Sequence, residues 1–124
     1  MQNNSEKFKD NLKHRSYVFA VNIIKFIDNL DKKDFSIEII SKQLLRSATS
    51  IGANIIEAQA GRTRKDFTNF FTHALKSSNE TKFWLCLLRD SKKISDEQPK
   101  ILLQEIIEIS NILGSSILTL KGRK

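Results

Sequence analysis

The sequence predicts an all-α fold, an antiparallel up-down-up-down four-helix bundle, and three observations carry that expectation. Apolar residues recur at three- and four-residue steps in four separate segments. Only short polar breaks separate those segments, which obliges consecutive helices to run antiparallel. Four Gly and one Pro in 124 residues leave few of the turn-formers that a sandwich or barrel consumes. A chain of this length supplies about one core's worth of material, so residues 1–124 are expected to form a single domain.

The first helix is expected over about residues 7–30, with Leu12, Phe19, Ile23, Phe26 and Leu30 as its apolar stripe and Ala20, Ile24 and Ile27 widening it. Asp28, Asp31, Lys32, Lys33 and Asp34 break it. The second helix, about 36–59, has Ser36 as its expected N-cap. Its stripe is Ile40, Leu44, Ala48, Ile51, Ile55 and Ala58, steps that suit a helix and defeat a strand. Gly61 is expected to end it in the left-handed conformation. Thr63, three residues before Asp66, then opens a third helix over about 64–92. Phe67, Phe71, Ala74, Ser78, Thr81, Leu85 and Leu88 line that helix. Ser95 and Gln98 form another capping box ahead of the fourth helix, about 96–120, which carries Leu102, Ile106, Ile109, Leu113, Ile117 and Leu120.

Charge makes this topology informative. The chain has 21 Lys+Arg against 14 Asp+Glu, a net +7, which favours polyanionic partners. In an up-down-up-down bundle the start of the first helix, the second connection and the C-terminus share one end. That end gathers ten cations: Lys7, Lys9, Lys13, Arg15, Arg62, Arg64, Lys65, Lys121, Arg123 and Lys124. Only Glu6, Asp10, Glu57 and Asp66 oppose them, whereas charges at the other end nearly cancel. The sequence has no zinc-finger spacing and no stacking-platform signature, so the expected mode is backbone contact with RNA or DNA phosphates.

A polar line of Arg46, Ser50, Asn54 and Glu57 runs along the second helix beside its apolar stripe. Pairing the second and third helices about their short turn brings Arg46 near Ser77 and Glu80. The expectation is an Arg46–Glu80 ion pair within a structural network of Arg46, Ser50, Asn54, Glu57, Ser77 and Glu80. Gly52, inside the helix, suggests a close backbone approach or a bend. Leu45, Ile56, Phe83, Trp84 and Leu87 carry apolar surface beyond a single core stripe, which points to self-association.

Enzyme chemistry has little to work with. His14 and His73 stand alone, neither preceded by Glu at the spacing of di-iron bundles. Cys86 lies among leucines as a small hydrophobe, and no glycine-rich phosphate loop exists. The chain is expected not to be an enzyme and to need no cofactor or metal. Its lone cysteine, a polar N-terminus unlike a signal peptide and the lack of an apolar run near ~20 residues suggest a cytoplasmic protein with no membrane partner.

The stretch Gln43-Leu44-Leu45-Arg46-Ser47-Ala48-Thr49-Ser50-Ile51-Gly52-Ala53-Asn54-Ile55-Ile56-Glu57 resembles one bacterial family, as do Asp66-Phe67, Phe70-Phe71 and Ala74-Leu75-Lys76-Ser77-Ser78-Asn79-Glu80. It is the four-helix-bundle family named for the 23S rRNA intervening-sequence protein. The likeness runs from about Tyr17 to Leu120. Leu45 stands where the family pattern usually has a second Arg, and Gly52 where it has Pro. The resemblance implies antiparallel bundles assembled as ring-shaped homopentamers. A related branch, the accessory variability proteins of diversity-generating retroelements, binds nucleic acid and a reverse transcriptase. The alternative it implies is therefore a protein-interaction scaffold, such as an accessory subunit of a reverse transcriptase.

Overall fold

A computed structural model describes residues 4–122, with side chains described from residue 11. The described residues form four helices: α1 (Asn4–Asp28), α2 (Phe35–Ala60), α3 (Arg64–Asp90) and α4 (Lys100–Gly122). Each packs on its neighbours around a closed square, most extensively α2 on α3 and least α1 on α4. The fold is the all-α antiparallel four-helix bundle. The predicted stripes form its core: Leu12, Phe19 and Ile23 from α1, Leu44, Ile51 and Ile55 from α2, Phe71, Leu85 and Leu88 from α3, and Ile106, Ile109 and Leu113 from α4 are fully buried. Burying each such side chain stabilises the fold by about 1.5–3 kcal/mol. Ile24, expected to widen the α1 stripe, instead faces solvent, while Ile37 of α2 is buried.

Hydroxyls thread this apolar interior. Ser47 of α2 hydrogen-bonds Thr81 of α3 at 2.9 Å, Ser77 donates to Ser50 at 2.9 Å, and Ser110 of α4 donates to Ser78 at 2.9 Å. These small side chains let helices approach closely, and their hydroxyls add inter-helix bonds to the ones that Ser47, Ser78 and Thr81 make to carbonyls of their own helices.

The helix ends depart from expectation in four places, each with a local cause. The N-cap of α2 is Asp34, not Ser36; its carboxylate accepts from the Ile37 N–H at 3.1 Å and from Lys93 Nζ at 2.8 Å. A carboxylate that gains an ion pair from the α3–α4 connection outcompetes a hydroxyl two residues later. Gly61 is not left-handed, with φ −66° and ψ 146°, because extended backbone leads directly into the Thr63 cap of α3. The left-handed residue is Lys92, at φ 62°. It ends α3 in a Schellman motif, with Lys93 N–H bonded to Leu88 O and Lys92 N–H to Arg89 O. The Ser95–Gln98 box forms reciprocally, yet α4 begins at Lys100, after Pro99, which has no N–H to donate.

One further expectation changes. By length and composition alone, α4 is long and apolar enough to cross a membrane. In the bundle its buried stripe forms a wall of the core, and its Glu105 and Glu108 pair with Arg15 of α1.

Two predictions follow from the helix ends. A non-glycine residue in the left-handed region is strained by about 1–2 kcal/mol. Lys92→Gly is therefore expected to raise stability by about 1 kcal/mol in urea denaturation, and a loss would contradict the cap assignment. At Asp34, the Lys93 ammonium and then the Ile37 N–H hold the carboxyl below its ordinary 3.8. Its contribution is present above that pH and lost as pH falls through the lowered value. Asp34→Ala should melt lower than the parent at pH 7, with the gap closing below pH 3.8. A gap unchanged down to pH 3 would contradict it.

Candidate nucleic-acid interface

Contacts near mid-helix fix which residues share an end. Ser16 of α1 lies against Gly52 of α2, Ser50 of α2 meets Ser77 of α3, and Ser78 of α3 meets Ser110 of α4. Counting along the helices from these crossings, the start of α1, the α2–α3 connection and the last turn of α4 fall at one end. That end presents exposed Arg62, Arg64 and Lys65 at the connection and exposed Lys121 in the last turn of α4. Lys13 is exposed on α1, nine residues beyond its start at Asn4 and so ~13 Å up the shaft. Lys7 and Lys9 lie on the α1 backbone, but their side chains fall outside the described residues, as do Arg123 and Lys124 entirely.

The two ends of the rod treat charge differently. At the far end four cations are matched with carboxylates, Lys93 with Asp34 at 2.8 Å, Arg89 with Asp90 at 2.8 Å, Lys92 with Asp96 at 3.4 Å and Lys100 with Glu97 at 4.0 Å, while Lys32 Nζ donates to the Ile27 and Leu30 carbonyls instead. Among the described residues, Lys13, Arg62, Lys65 and Lys121 make no ion pair. Arg64 and Lys65 moreover stand in the first turn of α3, where the helix dipole disfavours cations.

Arg15 does not belong to this cationic end. It sits higher on α1 and turns toward α4, bonding Glu105 through Nε at 3.0 Å and Nη2 at 2.6 Å, and Glu108 through Nη2. The hydrogen bond to Glu105 is the largest influence raising the pKa of the guanidinium. The side chain clasps α1 to α4 where their packing is thinnest. The signal was present in sequence as two carboxylates three residues apart on the fourth helix, level with Arg15 in an antiparallel pair.

The structural network is half as expected. Ser77 donates to Ser50, and Asn54 Nδ2 donates to the Ser50 hydroxyl at 3.0 Å and carbonyl at 2.9 Å. The Arg46–Glu80 ion pair, however, is not formed. Both residues are exposed on the rim of a shallow cleft of about 340 Å³ with Ser50 and Ser77 at its base. In water such a pair gains little against the entropy of fixing two long side chains. Glu57 is exposed as well. Sequence reasoning missed the Ser47–Thr81 and Ser78–Ser110 bonds that link α2, α3 and α4.

Residues 9–115 match the family model described as 23S rRNA-intervening sequence protein. A crystal structure from Bacteroides thetaiotaomicron VPI-5482, described as a protein with unknown function from the S23 ribosomal protein family, is 42% identical. The likeness covers 89% of this chain and 97% of that one, with a TM-score of 0.79. Among curated proteins none matches the chain.

Proposed function

The chain belongs to the 23S rRNA-intervening sequence protein family, and from that premise we propose that it is a non-enzymatic, homo-oligomeric bundle that binds RNA or DNA phosphates through its basic end in the cytoplasm. One observation carries the reading: four cations at one end of the rod lie beside carboxylates, while Arg62, Lys65 and Lys121, gathered at the other, have no carboxylate partner among the described residues. Unmatched clustered cations raise the local concentration of polyanions and release condensed counterions on binding. Lys7, Lys9, Arg64, Arg123 and Lys124 extend the same end by their place in the chain.

Self-association is supported by large exposed apolar side chains, among them Phe35, Phe83, Ile101 and Leu118. In the ring of five that the family resemblance implies, five basic ends would gather around one axis. Many weak phosphate contacts then act together as one strong one.

The test is a salt titration of binding to labelled RNA and duplex DNA, with light scattering for mass. The parent is expected to lose affinity steeply as salt rises and to have a mass near five times 14.3 kDa. A double variant, Arg62→Glu with Lys65→Glu, should bind at least ~10-fold more weakly at low salt and show a shallower salt slope. Arg15→Met, which touches a cation already paired, should bind within about twofold of the parent. Affinity flat across salt would contradict phosphate binding, and a mass of one chain would remove the ring.

A further inference from the structure

The outer surface of the α1/α2 seam carries a groove of about 480 Å³, within the ~300–1,000 Å³ range of small-ligand sites. Lys13, His14, Ser16 and Tyr17 of α1 line it, with Gly52 and Ile56 of α2, and of these Lys13, His14, Tyr17 and Ile56 are exposed. Two features there have no explanation in the bundle's own packing. Gly52 is a helix-interior glycine, which weakens a helix. Yet a Cβ at that position would meet only Ser16, at 3.8 and 4.0 Å, an ordinary contact. Packing of α1 on α2 therefore does not require a glycine there. Ser16 is fully buried, and among the described residues its hydroxyl has no hydrogen-bond partner, although buried polar groups nearly always have one.

The chemistry around these two features is selective. Tyr17 is 67% exposed and offers a ring face beside the slot. Among the described residues the lining contains Lys13 and His14 and no carboxylate, a rim that favours an anionic occupant and an interior that favours a flat apolar one. Lys13 also belongs to the cations that lead along α1 toward the basic end.

We propose that this groove receives one unpaired nucleobase of a strand bound at the basic end. The base stacks on Tyr17, turns a polar edge toward the Ser16 hydroxyl, and leaves its adjoining phosphate beside Lys13. This inference rests on the nucleic-acid reading above and deepens it: the ligand is single-stranded where it crosses the α1/α2 seam. Bases stacked inside a duplex cannot enter a slot, whereas splayed bases present their faces to aromatic side chains.

The experiment compares the full-length protein's affinity, by fluorescence anisotropy at low salt, for labelled single-stranded oligouridine and for an RNA duplex of equal length. Tyr17→Ala, which removes the stacking face, and Gly52→Leu, which fills the slot, are each expected to weaken single-strand binding ~10-fold, as for one lost stacked base. Duplex binding should change less than twofold, and Tyr17→Phe should restore single-strand binding. If neither groove variant moves single-strand affinity while Arg62→Glu with Lys65→Glu still lowers it, the groove proposal is overturned and the basic-end reading stands. Equal losses on both ligands overturn it too. Should the parent bind neither ligand, the underlying reading fails along with this one. A Gly52→Leu protein whose mass changes while its strand preference does not would assign the groove to a second copy of the chain, against the proposal.

Discussion

The constraint on which the rest of this structure depends is the register of α3 against α2. Only residues 61–63 separate the two helices, too few for anything but an immediate reversal. The pairs Ser47–Thr81 and Ser50–Ser77 then hold the hairpin at one vertical setting. A slip by one turn would break both inter-helix bonds, at about 0.5–1.5 kcal/mol each, although Ser47 and Thr81 would keep their bonds to Leu44 O and Ser77 O, and Ser50 would still accept from Asn54. Ser110 extends the setting to α4 through Ser78, and the clasp of Arg15 on Glu105 and Glu108 ties α1 to α4. Because that register is fixed, residues far apart in sequence share an end of the rod.

Charge segregation is built on that frame. The far end mixes both signs, and its ion pairs close the chain reversals, Asp34 with Lys93 joining two of them. The near end places Arg64 and Lys65 in the first turn of α3, against its unfavourable dipole. Such an arrangement lowers the stability of the isolated subunit through self-repulsion.

The core was legible in sequence because a helix buries one side with a period that few other structures share. Leu44, Ala48, Ile51, Ile55 and Ala58 lie where their spacing put them. Capping was less legible, since several residue types can perform it. Thr63 was identified from its spacing to Asp66, whereas Asp34 displaced Ser36 through an ion pair made 59 residues away. Lys92 in the left-handed region carries no sequence signature, because glycine is the residue that normally reports it. Long charged side chains were least legible. Arg46 and Glu80 are neighbours in register yet remain apart in water, while Arg15, counted among the cations of the basic end, is held by Glu105 and Glu108 of α4. The α1/α2 groove was invisible, since residues of two helices line it and the missing side chain of Gly52 leaves it open.

The central claim is spatial: polyanions meet this protein at the end formed by the α2–α3 connection and the last turn of α4. Amide chemical-shift mapping of the labelled protein, titrated with a single-stranded oligonucleotide at low salt, tests it most directly. The account predicts that the largest perturbations fall on residues 61–66 and 117–122 and fade toward the α3–α4 connection. Perturbations concentrated around Arg89–Lys100, or spread evenly along the four helices, would contradict it.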